Sequence, residues 1–321
     1  MSPRIHIDLS ALQHNVRRVR QLAPRSQILA MLKANAYGHG LQTVARSLAA
    51  EVAAFAVARL DEAIYLRAQG ITQRLVLLSG PETPADLAMA AELALEWVVH
   101  SCYQIELLEQ NSYPTPLRLW LKFDTGMHRL GLPPVALDAV MQRVQRLPNL
   151  AEIILMTHLA ASDEPDNPAT PQQLNEFQTL RQCFPQLASS VANSGAILGW
   201  PESHFDWVRP GIMLYGISPY AGRCGADDGL KPVMQLTTQL LAVYPRQAGA
   251  RIGYGGTGYC PEAMPVGVAA IGYGDGYPRQ LGNCGWARVN GQVAPLLGRV
   301  SMDLISLDLR ACPEAKPGDS V

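Results

Sequence analysis

The chain has 321 residues, 48% hydrophobic and 17% charged, and its 26 Lys and Arg against 27 Asp and Glu leave a formal net charge of -1. That length and apolar content suit a large barrel plus a smaller domain and exclude a disordered chain. The even charge balance gives no electrostatic footprint for a nucleic-acid or membrane-surface partner, and no stretch approaches the ~18 consecutive apolar residues of a spanning helix.

The first ten residues carry Arg4 and Asp8 and no apolar run, so no signal peptide is read there. A helix is predicted over 10–22, with Ser10 as its cap and Leu12, Val16, Val19 and Leu22 on one face. From there to about 225, short apolar runs alternate with amphipathic stretches. Runs at 28–32, 53–58, 75–79, 95–99, 117–123, 153–157, 190–192 and 205–208 read as eight strands. Helical patterns lie at 41–48, 61–69, 84–93, 136–147 and 171–183. Near-continuous apolar strands separated by helices predict a parallel sheet covered on both faces, and eight such repeats predict a (β/α)8 TIM-type barrel over residues 1–225.

The texture changes after Tyr220. The Gly- and Asp-rich segment 221–230 reads as a linker. Runs at 233–243, 266–273, 286–289, 293–297 and 304–309, divided by Gly, Pro and Asn, predict a predominantly β domain over 226–321. The fold class expected is therefore α/β, a barrel followed by a β domain. The six cysteines are widely spaced with no C-x-x-C pair, which fits reduced thiols in the cytoplasm better than a metal cluster or a disulfide framework.

Barrels gather their chemistry at the carboxyl ends of the strands. The first run ends Met31-Leu32-Lys33-Ala34-Asn35-Ala36-Tyr37-Gly38-His39-Gly40. A lysine desolvated there falls below its usual pKa of ~10.4 and becomes an amine able to condense with an aldehyde, although a lysine snorkelling at a rim would read the same way. The fifth run ends Lys122-Phe123-Asp124, with Arg129 in the loop beyond. A guanidinium suits a carboxylate, while Lys122 and Asp124 also fit a structural ion pair. The sixth run ends Thr157-His158, where only the strand-end position raises His158 above an ordinary core histidine. The last two runs lead to Asn193-Ser194-Gly195 and Arg209-Pro210-Gly211-Ile212. Barrels commonly bind phosphate there, and the Ser194 hydroxyl with the amides of Gly211 and Ile212 fits that task. An amine, an anion cradle and an arginine form the kit for a phosphorylated aldehyde cofactor.

The β domain adds Ile252-Gly253-Tyr254-Gly255-Gly256, the segment from Ile271 through Tyr273 to Pro278, and Gly298-Arg299-Val300-Ser301-Met302-Asp303. Each alone could be a β-turn.

Together these residues closely resemble the alanine racemase family, the fold type III class of pyridoxal-phosphate enzymes. The resemblance runs from near Ala11 to Gly318. The segment from Lys33 to Gly40 matches the family's cofactor signature, and His204-Phe205-Asp206-Trp207-Val208-Arg209-Pro210-Gly211 is similar to its proteobacterial branch. The resemblance implies that Lys33 carries pyridoxal 5'-phosphate, that Tyr37, Ser194, Gly211 and Ile212 hold its phosphate, and that Arg209 bonds its pyridine nitrogen. It implies a two-base interconversion of L-alanine and D-alanine, supplying D-alanine for peptidoglycan or degrading it. Lys33 would serve one enantiomer and Tyr254, reaching from the partner subunit of a homodimer, the other. His158 would link Tyr254 to Arg209. Arg129 and the Met302 amide would bind the substrate carboxylate. Tyr273 and Asp303 would line an entry corridor, and Lys122 matches a position carbamylated in many relatives. Two bases make chemical sense, because one rigid base cannot reach both faces of a carbon.

The family continues past this sequence with further strands and a tyrosine that meets the cofactor phosphate. The sequence here ends Lys316-Pro317-Gly318-Asp319-Ser320-Val321. The expectation is that a chain ending there exposes strand edges and holds the cofactor less tightly. The alternatives are a non-catalytic pyridoxal-phosphate-binding protein, which gives no reason for Tyr254, and a racemase of another amino acid such as serine, lysine or ornithine. A fold type III decarboxylase is weaker still for the same reason as the first.

Overall fold

The structure, a computed structural model, describes residues 3–111, 113 and 115–321. The chain opens on a four-residue strand, β1 (Arg4–Ile7). Eight strands then close a parallel barrel: β2 (Gln27–Met31), β3 (Ala54–Val57), β4 (Arg74–Leu77), β5 (Glu96–Val99), β6 (Leu117–Lys122), β7 (Leu150–Met156), β8 (Ala188–Ser190) and β9 (Trp207–Val208). Each is one of the eight apolar runs, shifted by a few residues. Helices fill the crossovers: α1 (Leu9–Leu22), α2 (Lys33–Tyr37), α3 (Leu41–Leu48), α4 (Leu60–Ala68), α5 (Pro84–Glu92), α6 (Cys102–Glu109), α7 (Leu137–Val144), α8 (Ala169–Cys183) and α9 (Ser194–Gly199).

Every second residue of a strand faces inward, so the barrel interior is legible in the register. Leu29, Met31, Ala54, Ala56, Val76, Val98, Trp120, Ile154, Met156 and Trp207 form one buried cluster. The rings of Trp120 and Trp207 meet edge to face at 5.2 Å. The alanines of β3 leave the volume those indoles occupy, as close packing requires. At the amino ends of the strands Glu96, buried, accepts from Trp120 Nε1 at 2.8 Å and is paired to Arg74. Arg74 also reaches Glu152 at 2.7 Å and lies over the Trp207 ring.

Several local features differ from the sequence expectation, beyond the short elements β1, α2 and α9 that it did not include. Helix α1 is capped by Asp8, whose Oδ1 accepts from the amides of Ser10 and Ala11 at 2.8 and 3.0 Å; Ser10 lies inside the helix. Helix α6 has no counterpart among the expected helices. Its apolar residues Ile105, Leu107 and Leu108 give little periodicity, and the Ser101 cap is the local signal. Segment 221–230, read as a linker, turns through Gly225–Asp228 and packs on α1: His14 Nε2 donates to Gly229 O at 3.0 Å, and Arg18 Nε to Asp228 O at 3.1 Å. Buried Asn15 of α1 bonds Leu214 O and both backbone groups of Lys231. Asp8–Val233 therefore forms one compact unit.

The other compact unit joins β1 to the C-terminal segment from Met234. Its further strands are β10 (Met234–Thr237), β11 (Leu240–Arg246), β12 (Arg251–Ile252), β13 (Gly258–Tyr259), β14 (Met264–Ala269), β15 (Trp286–Val289), β16 (Gln292–Pro295) and β17 (Ile305–Asp308). All its sheets are antiparallel: β1 with β10, β11–β14–β17, β12 with β13, and β15 with β16. Residues 318–321 return beside β11, with Thr238 and Val321 exchanging backbone bonds at 2.8 and 2.9 Å. Leu240, Ala269, Ile271, Val289, Leu296, Ile305 and Leu307 lie at the centre of this unit's core.

Candidate active site

The carboxyl ends of the barrel strands open on a cavity of about 580 Å³. Seven of the residues singled out in the barrel sequence line it: Lys33, Tyr37, Lys122, Arg129, His158, Ser194 and Arg209, together with Gly211 and Ile212. Period-2 alternation fixes Lys122 at the end of β6, and the loops after the other strands supply the rest.

Lys33 follows β2 with only Leu32 between them and is half-buried. Burial lowers its pKa, the Arg129 cation lowers it further, and the Glu62 carboxylate opposes both. Beyond it the chain makes an unusual turn. Ala34, Asn35, Ala36 and Tyr37 all take φ of 54°, so α2 is left-handed and closes on Gly38. The turn carries the Tyr37 ring onto Tyr215, with centroids 4.8 Å apart. Tyr37 Oη lies where Gly211 comes closest: a Cβ on Gly211 would sit 2.6 Å from it. Glycine is thus required at 211 for close approach. Ser194 Oγ accepts from the amides of Gly211 and Met213 at 2.9 and 3.4 Å. Ile212 heads the turn Ile212–Tyr215, whose leading amides lack acceptors within the turn.

Arg209 follows β9 and is fully buried, which lowers its pKa to about 10, so it remains a cation at neutral pH. Its Nη1 donates to Ser190 Oγ at 2.7 Å, and its Nη2 to Thr157 O at 2.6 Å and Val191 O at 3.0 Å. Nη2 also lies 3.4 Å from His158 Nδ1. Burial holds the His158 pKa well below its ordinary value, and the cations of Arg209, Lys122, Arg129 and Lys33 hold it lower still. His158 is therefore neutral, with Nδ1 as acceptor toward Arg209 and the proton on Nε2. Lys122 is pushed down to about 8, first by burial and then by Arg209 and Arg129.

Asp124 does not pair with Lys122 among the described residues. Its Oδ1 accepts from the amides of Gly126 and His128 at 3.0 and 2.9 Å, knotting the loop that carries Arg129. Burial raises its pKa, but those backbone bonds together with the His128 side chain, 3.2 Å from Oδ2, outweigh it and leave the pKa lowered.

Tyr254, Tyr273, Met302 and Asp303 lie in the other unit. Tyr254 is 68% exposed on a glycine-rich turn, Gly253 to Gly256, that packs beside Arg299. The Tyr273 amide donates to Ser301 O at 3.0 Å and the Gly274 amide to Met302 O at 2.8 Å. A Cβ on Gly272 would stand 2.2 Å from Met302 O, so this contact needs a glycine. The structure thus brings Tyr273, Met302 and Asp303 together, and the motif at 298–303 touches both of the other motifs read separately in the sequence.

Several polar residues around the cavity were not singled out from the sequence. Ser190 and Thr157 hold Arg209. Gln173, buried on α8, donates to His158 O at 3.0 Å and accepts from the Ala160 amide at 2.8 Å. Ser162, Asp163 and Asn193 also line the cavity. Period 2 along 188–192 puts Ser190 inward and was the available signal; Gln173 sits in a helix pattern where nothing local marks it.

A (β/α)8 barrel whose strand ends surround an amine of lowered pKa with cations and a close-approach glycine is the class of barrel that holds an anion beside a nucleophile. The model of the alanine racemase N-terminal domain matches residues 7–219, and that of the C-terminal domain matches 233–321. The chain is 52% identical to the alanine racemase of Nitrosococcus oceani over 99% of its own length and 89% of that protein's. It is 46% identical to that of Halorhodospira halophila over 98% and 87%. Among solved structures, the biosynthetic alanine racemase of Pseudomonas aeruginosa is similar with a TM-score of 0.95 and 41% identity, over 100% of this chain and 89% of that one. The Bartonella henselae alanine racemase with covalently bound pyridoxal phosphate is similar with a TM-score of 0.87 and 28% identity, over 100% and 89%. The chain belongs to the alanine racemase family.

Proposed function

We propose that this protein interconverts L-alanine and D-alanine with pyridoxal 5'-phosphate bound in the barrel cavity. The observation that carries the reading is one cavity holding both Lys33, an amine of lowered pKa, and the cradle of Tyr37, Ser194 and Gly211. The donor set fits a phosphorylated aldehyde. Lys33, Lys122, Arg129 and Arg209 surround the cavity with positive charge. The absent side chain at Gly211 lets an anion approach the backbone between Tyr37 Oη and Ser194 Oγ, which already gathers the Gly211 and Met213 amides. Lys33 is the covalent attachment point, and Ser194, Tyr37, Gly211 and Ile212 hold the phosphate. When bound, the cofactor withdraws electrons from the substrate and acidifies its α-hydrogen.

The protein's own residues then move the proton. Arg209 is locked by four contacts and stays protonated, so it would hold the cofactor's pyridine nitrogen and keep it unprotonated. That restrains the electron demand and disfavours side reactions. Lys33 exchanges the α-proton on one face. Tyr254 of the partner subunit in a homodimer serves the other, and His158 couples it to Arg209. Arg129 and the Met302 amide take the substrate carboxylate, while Tyr273 and Asp303 narrow the entrance to small side chains. Lys122, with a pKa of about 8, is substantially neutral at mildly alkaline pH and can take up carbon dioxide as a carbamate facing Arg129. The product supplies D-alanine for peptidoglycan, or the reverse reaction degrades it. Among the described residues no helix is long and apolar enough to cross a membrane, and the cysteines are free. The free thiols fit a reducing cytoplasm.

Incubation with L-alanine and pyridoxal phosphate, followed by chiral analysis, tests the reading. Both enantiomers are expected to approach equal amounts. Alanine that stays L while serine racemises would replace the substrate, and no racemisation of either would leave a cofactor-binding protein only.

A further inference from the structure

Ala34 to Tyr37 hold the left-handed conformation without a glycine among them. L-residues avoid it by about 1–2 kcal/mol each. Such a turn persists only where its surroundings over-determine it. Two of the contacts that fix it are local. Asn35 Oδ1 accepts from the Leu41 amide at 2.8 Å, and His39 Nδ1 donates to Tyr37 O at 2.9 Å. The third comes from 28 residues away. Glu62 Oε1 accepts from the Ala34 amide at 2.6 Å. Its Oε2 accepts from the amides of Ala58 and Arg59 at 2.9 and 3.2 Å.

One carboxylate thus ties the first amide after Lys33 to the loop between β3 and α4. Both of its oxygens face N–H donors. A glutamine would turn its NH2 toward one of the two loops, and an aspartate is a methylene short. Only an all-acceptor group of this length completes the bridge. The anion also lies close enough to Lys33 to oppose the lowering of its pKa.

We propose that Glu62 is a positioning residue that clamps the left-handed Lys33–Tyr37 turn, so that the Lys33 amine and the Tyr37 hydroxyl reach the same cavity. This rests on the reading of Lys33 as the cofactor-bearing amine. A turn relaxed to the right-handed form would redirect both side chains at once. Loss of Glu62 should therefore weaken phosphate binding through Tyr37 as well as attachment through Lys33, which loss of a nearby charge alone would not do.

The test measures binding of inorganic phosphate and of pyridoxal phosphate by calorimetry, with borohydride trapping to map the attachment site. In the unaltered protein the label is expected on Lys33; a label elsewhere overturns the functional reading and this proposal with it. Glu62→Gln and Glu62→Asp are each expected to weaken inorganic phosphate binding by about tenfold, the loss of roughly one charge-assisted hydrogen bond. Adding Ala34→Gly, which accepts the positive φ without strain, is expected to restore most of that affinity in Glu62→Gln. The double variant also carries the test if Glu62→Gln alone melts below the assay temperature. Phosphate affinity unchanged in Glu62→Gln, with Lys33 still labelled, overturns the clamp alone, and so does failure of Ala34→Gly to restore it.

Discussion

Lys122 shows how one side chain couples site and stability. Its folded pKa of about 8 lies below the 10.5 of the free side chain. Between those values the unfolded chain holds a proton that the folded one has released, so stability rises with pH across that window. Below pH 8 the folded protein bears the full cost of a half-buried ammonium among Arg209 and Arg129. Lys122→Met, which keeps the aliphatic stem, is expected to melt higher than the unaltered protein at pH 7. The gap should shrink steadily from pH 8 to 10.5. Melting curves of both in carbon-dioxide-free buffer check this, and a gap that widens with pH would reverse the sign. Gly211 makes a second point at this scale. Gly211→Ala would place a methyl 2.6 Å from Tyr37 Oη. Phosphate affinity is expected to fall at least tenfold, the scale of one lost hydrogen bond to an anion, with the fold retained by circular dichroism.

At the scale of elements, the barrel separates a floor that holds it together from a mouth that holds the chemistry. The floor is the Arg74–Glu96–Glu152 cluster beneath the two indoles. Removing Glu96 strands the buried Trp120 N–H and leaves Arg74 without its innermost partner. Arg74 is about a third exposed, which moderates the loss. Glu96→Ala is expected to cost about 2–3 kcal/mol, below the ~3–5 of a fully buried pair. Denaturant melts would show it, while turnover per folded molecule stays unchanged. A fall in turnover at full occupancy of the folded state would tie floor to mouth. The mouth tolerates irregular backbone: α2 runs left-handed, and the loop knotted by Asp124 presents Arg129. Such strain needs fixed partners, and Glu62, Asn35 and Asp124 supply them.

For the whole molecule, racemisation requires bases on two faces, and the barrel contributes Lys33 to one. If Tyr254 completes the partner's pocket, two inactive variants should complement each other. Mixing Lys33→Ala with Tyr254→Phe under conditions of demonstrated subunit exchange is expected to restore up to about a quarter of normal activity, because one of the two sites in a hybrid dimer is intact. No recovery despite exchange would exclude shared sites.

The sequence by itself determined the eight barrel strands, the β character of the C-terminal region, and the cavity residues from Lys33 to Ile212. These follow from near-continuous apolar runs, which strands buried on both faces of a helix-covered barrel need, and from the rule that loops after such strands converge. The Lys33–Gly40 signature could be read because its residues are contiguous. Only the tertiary structure decided which distant groups serve them. The pairing of β1 with β10 joins residues more than 220 positions apart, through strands that are largely exposed and so lack an apolar signature. Ser190 and Thr157 grip Arg209, Gln173 braces the His158 loop, and Glu62 reaches Ala34, each through a hydrogen bond between segments that are remote in sequence. Periodicity reports what a segment buries. It carries no record of which partner will satisfy a polar group, because that depends on distances set only when the barrel closes.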